Sequence, residues 1–174
     1  MEQELTLNES VREAITIALL KLMRKKDFSN IKVTEIVKLA GVGRTSFYRN
    51  FESREDVLKK HINQLYYDYF STHNVPGIES TEDEKREYML SRFRFVKRNA
   101  DFFVLLNKNG LIYEIFEGID NVTLEKIATC DIKNRYFKKF MSSACVGVII
   151  EWIERKFKES EEELADIFMK VKMQ

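Results

Sequence analysis

Arg44, Thr45, Ser46, Tyr48, Arg49 and Asn50 fall within one seven-residue stretch. Each carries a group that suits a nucleic acid. An arginine fork matches a guanine edge, a threonine methyl packs on thymine, and Tyr, Arg and Asn side chains donate to phosphate oxygens. Arg54, a few residues on, adds a guanidinium placed for a further phosphate. Between positions 21 and 49, eight Lys or Arg side chains face only Asp27 and Glu35, against a net charge of +1 for the whole chain. A basic front segment on an otherwise acidic chain is the footprint expected where one part of a protein meets phosphate.

Such a stretch needs elements that hold it out. The chain has one Pro and six Gly in 174 residues, which favours an all-helical fold. Val11, Ala14, Ile15, Ala18, Leu19, Leu22 and Met23 recur at helical spacing, and Ser10 with Glu13 reads as a capping box, so a first helix is expected over 10–26. A second is expected over 33–40, with Ile36, Val37 and Ala40 on its apolar side. Gly41 should stop it in the left-handed cap conformation. Gly43 can open a third helix over 44–51, buried through Phe47 and Phe51, and Ser53 with Asp56 should cap a fourth. Two short helices meeting through Ala40-Gly41-Val42-Gly43 make a helix-turn-helix, whose second helix fits a DNA major groove. At its tip, Arg44, Thr45 and Ser46 would lie where free N–H groups and the helix dipole face the DNA. A plain helical hairpin, with its charges merely solvated, fits the same local pattern.

The stretch VTEIVKLAGVGRTSFYRNFESREDVL resembles the DNA-binding domain of TetR-family transcriptional regulators, and the likeness runs from Ile15 to Leu58. It implies that Thr34, Arg44, Thr45 and Ser46 face bases or the groove. It also implies that Tyr48, Asn50 and Arg54 hold phosphates and that Arg49 lies on the DNA side. Lys32 stands where the family usually has Thr or Ser, which removes a cap worth about 1 kcal/mol and adds a potential phosphate contact. Gly43 replaces the usual capping Ser or Asn. Arg54 and Asn50 replace a common Lys and His. GVIIEWIERKFKESEEELADIF is loosely similar to a Firmicute TetR-like subgroup related to regulators of dihydroxyacetone kinase operons, some of which activate. The family implies a helix-turn-helix domain, here 8–54, and a helical ligand-binding and dimerisation domain, here 55–174. It implies a cytoplasmic homodimer on a palindromic operator in double-stranded DNA, as a repressor released by a small molecule. A TetR-like activator, or a helical interaction protein without DNA binding, remain the alternatives.

Beyond the Pro76-Gly77 break, further helices are expected over 82–98, 100–107, 112–128, 134–156 and 160–172. Two apolar stripes occupy the last two, and by the resemblance Met141, Cys145, Val148, Trp152, Leu164 and Phe168 would pair with a second copy. Internal core is the competing reading of both stripes. Tyr88, Phe93, Phe103, Tyr113 and Phe116 belong to an aromatic concentration that suits either a cavity for a small apolar or aromatic effector or a filled core.

Other chemistry finds little support. His61 and His73 are the only histidines, and no HExxH, CxxC, phosphate-binding Gly-rich loop or Gly-x-Ser-x-Gly occurs, so neither an enzyme nor a metal or cofactor site is expected. Cys130 and Cys145 read as buried thiols, with a redox switch the lesser reading. The opening MEQELTLNES carries three Glu and no base, so no secretory leader is expected. No apolar run approaches the roughly 18 to 20 residues that span a bilayer.

Overall fold

The computed structural model describes residues 2–115 and 131–170, with side chains from position 8 onward. These residues form eight α-helices, a short 3-10 turn and no strand. By internal contacts the chain divides into two compact units, Met1–Gln64 and Leu65–Gln174.

The first unit begins with α1, Glu2–Met23. Ser10 is therefore inside a helix, and the expected cap there does not exist. Glu, Gln and Leu are good helix formers and nothing between positions 2 and 10 breaks the helix, so it runs past the pattern read as its start. Ile15 and Leu19 are fully buried on its inner face. The 3-10 turn Phe28–Asn30 follows, with Phe28 and Ile31 pinned into the core. Then come α2, Val33–Ala40, and α3, Arg44–Asn50. Gly41 takes φ 69° and ψ 27°, and Val42 N–H closes on the Val37 carbonyl at 3.1 Å. Only glycine holds that backbone region without a Cβ penalty. Helix α2 packs on α1, and α3 packs on both.

Helix α4, Arg54–Thr72, contains the junction at 64/65. Asp56 N–H donates to Ser53 Oγ at 3.1 Å, the expected cap, while the Asp56 carboxylate accepts from Glu52 N–H at 3.0 Å.

The second unit adds α5, Glu82–Arg98, α6, Ala100–Lys108, α7, Ile132–Glu154, and α8, Glu161–Lys170. Thr81 and Glu84 form a reciprocal capping box at the start of α5. Ser160 and Glu163 do the same for α8. Helix α7 starts two residues before its expected position because Asp131 Oδ1 accepts from Asn134 N–H at 3.0 Å. It ends early too: Lys156 and Phe157 turn left-handed, at φ 58° and 55°. The core joins α5, α7 and α8 through Phe93, whose ring meets Trp152 at 5.9 Å and Phe168 at 6.5 Å. Two surface ion pairs, Arg86–Asp166 and Arg94–Glu162, also tie α5 to α8. Among the described residues no helix is long and apolar enough to cross a membrane.

The expected helix over 112–128 lies mostly outside the described residues, as do Phe116 and Cys130. Three residues assigned to the dimer contact prove internal. Cys145 is 0%, Trp152 1% and Leu164 7% exposed. A side chain already buried in its own chain has no area left to give a partner. Trp152 also donates its indole N–H to the Glu159 carbonyl at 3.0 Å. Tyr113 is 66% exposed. Tyr88, Phe93 and Phe103 are buried, and Phe93 and Phe103 are filled-core residues packed ring on ring.

Candidate nucleic-acid interface

Helix α3 is two turns long and has two unlike sides. Phe47 is 0% exposed and meets Phe51 at 5.9 Å, which roots the helix in the first unit. Burying a phenyl ring of this kind contributes about 2 to 3 kcal/mol. Away from that anchor, Arg44, Thr45 and Arg49 are exposed, and Tyr48 is 58% exposed with its ring edge-on to Phe47 at 5.3 Å. A tyrosine braced this way presents its hydroxyl with little rotamer freedom left to lose. Gly43 is the N-cap and has no side chain to offer, so the first N–H groups of α3 have no side-chain acceptor at the cap.

Lys32 and Thr34 are exposed at the start of α2. A lysine cannot accept a hydrogen bond, so the cap there is one-sided: Glu35 Oε2 accepts from Lys32 N–H at 3.0 Å. The same carboxylate takes the Lys26 ammonium at 2.6 Å. The Lys26 bond, helped by the Lys32 N–H, holds Glu35 below the usual carboxylate range. The acid that costs this segment a positive charge thus neutralises Lys26, and Lys32 keeps its own ammonium exposed.

Ser46 and Asn50 are half-buried, and one Asn50 Nδ2 donor already serves the Ser46 carbonyl at 2.9 Å. Arg54, expected as a phosphate ligand, has Nη1 and Nε engaged within the chain. Its Nη1 donates to the carbonyls of Phe28 and Ser29 at 2.9 Å each and also to that of Ile31, and its Nε bonds Glu55. A guanidinium whose Nη1 is held by carbonyls fixes the turn before α2 in place. Lys60 is a second positioning residue. Its ammonium caps the Asn50 carbonyl at 3.0 Å, pairs with Asp56 at 2.9 Å and lies over the Phe51 ring. Burial alone would raise the Asp56 carboxyl, but the Lys60 and Glu52 hydrogen bonds outweigh it and keep it below its ordinary range. The i,i+4 spacing of Asp56 and Lys60 was the available sequence signal for this clamp.

The structure therefore brings Lys32, Thr34, Arg44, Thr45, Tyr48 and Arg49 to the surface of one small unit, on or beside two short helices joined by a tight turn. No titratable group among them is arranged as nucleophile and base. What they offer is donors, positive charge and a helix tip, which suits recognition of a polyanion.

Comparison with known proteins agrees. Residues 15–60 match the model for bacterial regulatory proteins of the tetR family, and residues 83–174 match a TetR-type transcriptional regulator C-terminal region. An uncharacterized HTH-type transcriptional regulator of Bacillus subtilis (strain 168), YxbF, is 23% identical over 168 residues. The match covers 90% of this chain but 43% of that protein, so the chain spans less than half of the relative's length. The crystal structure of a TetR transcriptional regulator from Streptococcus agalactiae 2603V is similar with a TM-score of 0.66 and 21% identity, over 97% of both chains. The fatty acid degradation regulator FadR from Bacillus halodurans is similar with a TM-score of 0.59 and 17% identity, over 92% of this chain and 93% of that one. At these identities the likeness is one of fold.

Proposed function

This chain belongs to the TetR family of bacterial transcriptional regulators, and we propose from that premise that it works as a homodimer on a palindromic DNA operator, as a repressor released by a small molecule. The observation that carries the reading is α3 itself: a two-turn helix rooted by Phe47, with Arg44, Thr45, Tyr48 and Arg49 left outward. Arg44 and Thr45 read base edges from the helix tip, while Tyr48, Arg49 and Lys32 hold phosphates. Arg54 and Lys60 set the angle at which the helix is presented.

One short helix covers too few base pairs for useful specificity, so two copies are needed, with half-sites about 34 to 36 Å or a multiple apart. The dimer contact falls on the outward parts of α7 and α8. There Phe137, Phe140, Met141, Val148, Ile167 and Phe168 line an apolar groove of about 490 Å³, and Phe140 and Ile167 are 49% and 51% exposed. Half-exposed large apolar side chains clustered on two neighbouring helices are what a helical dimer interface covers. A ligand in the second unit would act through α4, which contributes 54–64 to one unit and 65–72 to the other. It shifts DNA affinity only by its preference for one state over the other.

Footprinting on DNA upstream of the protein's own gene tests the proposal. Two protected patches one or more whole helical turns apart, lost with Thr45→Ala and Arg44→Ala together, are expected. Protection at no site in that DNA or in a genomic pull-down would refute it.

A further inference from the structure

Helix α5 carries four arginines, and the surroundings of Arg86, Arg92 and Arg94 differ. Arg86 and Arg94 reach acids on α8, at 2.8 and 2.9 Å. Arg92 is 3% exposed, the one buried charged side chain among the described residues, and none of the described acids pairs with it. Its Nη1 has a long 3.4 Å bond to the Tyr88 hydroxyl, and its Nη2 has no hydrogen-bond partner. The ionisable groups around it among the described residues are Cys145, Tyr88, Tyr66 and Tyr69. All are neutral at physiological pH: burial pushes the Cys145 thiol up and pushes the phenols of Tyr66, Tyr69 and Tyr88 up with it. The Tyr88 ring, 5.7 Å from the guanidinium carbon, offsets the charge in part.

A guanidinium cannot escape burial by losing its proton. An uncompensated buried charge is among the most strongly destabilising features a fold can carry, so it persists where something supplies the counter-charge. The fork of an arginine matches a carboxylate, two donors to two oxygens. The buried rings of Tyr66, Tyr69, Phe70 and Phe95 pack on one another, with centroids 4.7 to 5.9 Å apart, and would have to part to take the ligand's apolar body. A cleft of about 580 Å³ has Tyr88 and Ser91 in its wall, with Glu84 and Glu87 on the same wall; Arg92 does not line it and reaches it only through its bond to Tyr88, so a ligand must move the Tyr88 side chain to meet the guanidinium.

We infer that Arg92 is the anchor of an effector site in the second unit, and that the effector is a small-molecule carboxylate with an apolar or aromatic body. This rests on reading that unit as the effector-binding part of a regulator, but its test does not use DNA.

Thermal melting of the full chain would be followed in titrations of benzoate and octanoate, with benzamide and octanamide as uncharged controls and inorganic phosphate as the other oxyanion. A ligand that binds the native state raises the melting temperature with its concentration. A saturable rise with at least one carboxylate and not with its amide is expected. Arg92→Met should abolish that rise, while the unliganded variant melts at or above the parent because the unpaired charge is gone. Arg92→Lys keeps the charge but loses the fork and should weaken binding about tenfold or more; it also serves if Arg92→Met does not fold. The inference is overturned if no carboxylate exceeds its amide, if phosphate alone stabilises, or if either variant retains the parent's affinity. Carboxylate binding without any DNA binding would instead sink the regulator reading and leave this site standing.

Discussion

The guanidinium of Arg54 holds the carbonyl oxygen of Phe28 at 2.9 Å and lies over the same residue's ring, 4.9 Å from its centroid. One side chain at the start of α4 thereby fixes the turn that leads into α2, from 26 residues away in sequence. Its place in the domain resembles that of a phosphate ligand, yet its Nη1 and Nε donors are engaged within the chain.

Arg54→Ala should therefore act first on stability. Three carbonyls lose a charged donor, and a loss of about 2 to 4 kcal/mol is expected in denaturant unfolding. Arg54→Lys should recover little of it, since an ammonium cannot fork onto several carbonyls. If Arg54→Ala unfolds like the parent and only its DNA affinity falls, the residue is a phosphate ligand after all.

The turn between α2 and α3 gives a paired prediction. Gly41 is left-handed, so Gly41→Ala should cost about 1 to 2 kcal/mol, and Gly41→Asn less. Gly43 has an ordinary φ of −79°, and a Cβ there meets nothing within 4 Å. Gly43→Ser should therefore be stabilising by about a few tenths of a kcal/mol, by adding the missing cap. Thermal melts of both variants check the contrast, and equal destabilisation would contradict it.

Acid should weaken the first unit through His61. Burial on α4 lowers its pKa below the ordinary 6.5, so the unfolded chain takes up the proton before the folded one does. Stability is complete above pH 6.5 and declines as the pH falls from there through the lower folded value. His61→Gln should flatten the stability profile between pH 7 and 5, above the range of the paired carboxylates. An unchanged slope in that variant would assign the effect elsewhere.

Helices α7 and α8 yield a further contrast. Phe140→Glu or Ile167→Glu should convert a dimer to monomer in sedimentation while leaving the helical content intact. Trp152→Ala, in the core, should cost about 3 to 5 kcal/mol instead. A dimer that survives both Glu variants would place the contact on another face.

Local signals were legible in the sequence wherever they were sufficient. Val33–Ala40 and Glu82–Arg98 have their expected bounds, and Gly41 has its expected conformation. Each depends on near neighbours: a cap, an apolar spacing, a glycine. The start of α1 was missed because a Ser with Glu three residues on is equally at home inside a helix. The apolar stripe of α7 was visible, but spacing alone does not tell whether a stripe is covered by its own chain. Cys145 and Trp152 are so covered, while Phe140 is not. The roles of Arg54 and Arg92 were not legible at all. One is defined by carbonyls far back in the chain, the other by a buried Nη2 without a hydrogen-bond partner, which only three-dimensional packing reveals.

The central claim is that α3 reads DNA, and fluorescence anisotropy on the protein's own upstream DNA across a salt series tests it most directly. Binding should be tighter than to scrambled DNA and should weaken steeply with salt as phosphate counterions are released. Arg44→Ala should lose about 1 to 3 kcal/mol and relax the sequence preference, while Lys32→Ala should weaken both DNAs alike and lower the salt slope by about one. Equal affinity for the two DNAs, unaffected by Arg44→Ala, would contradict the account.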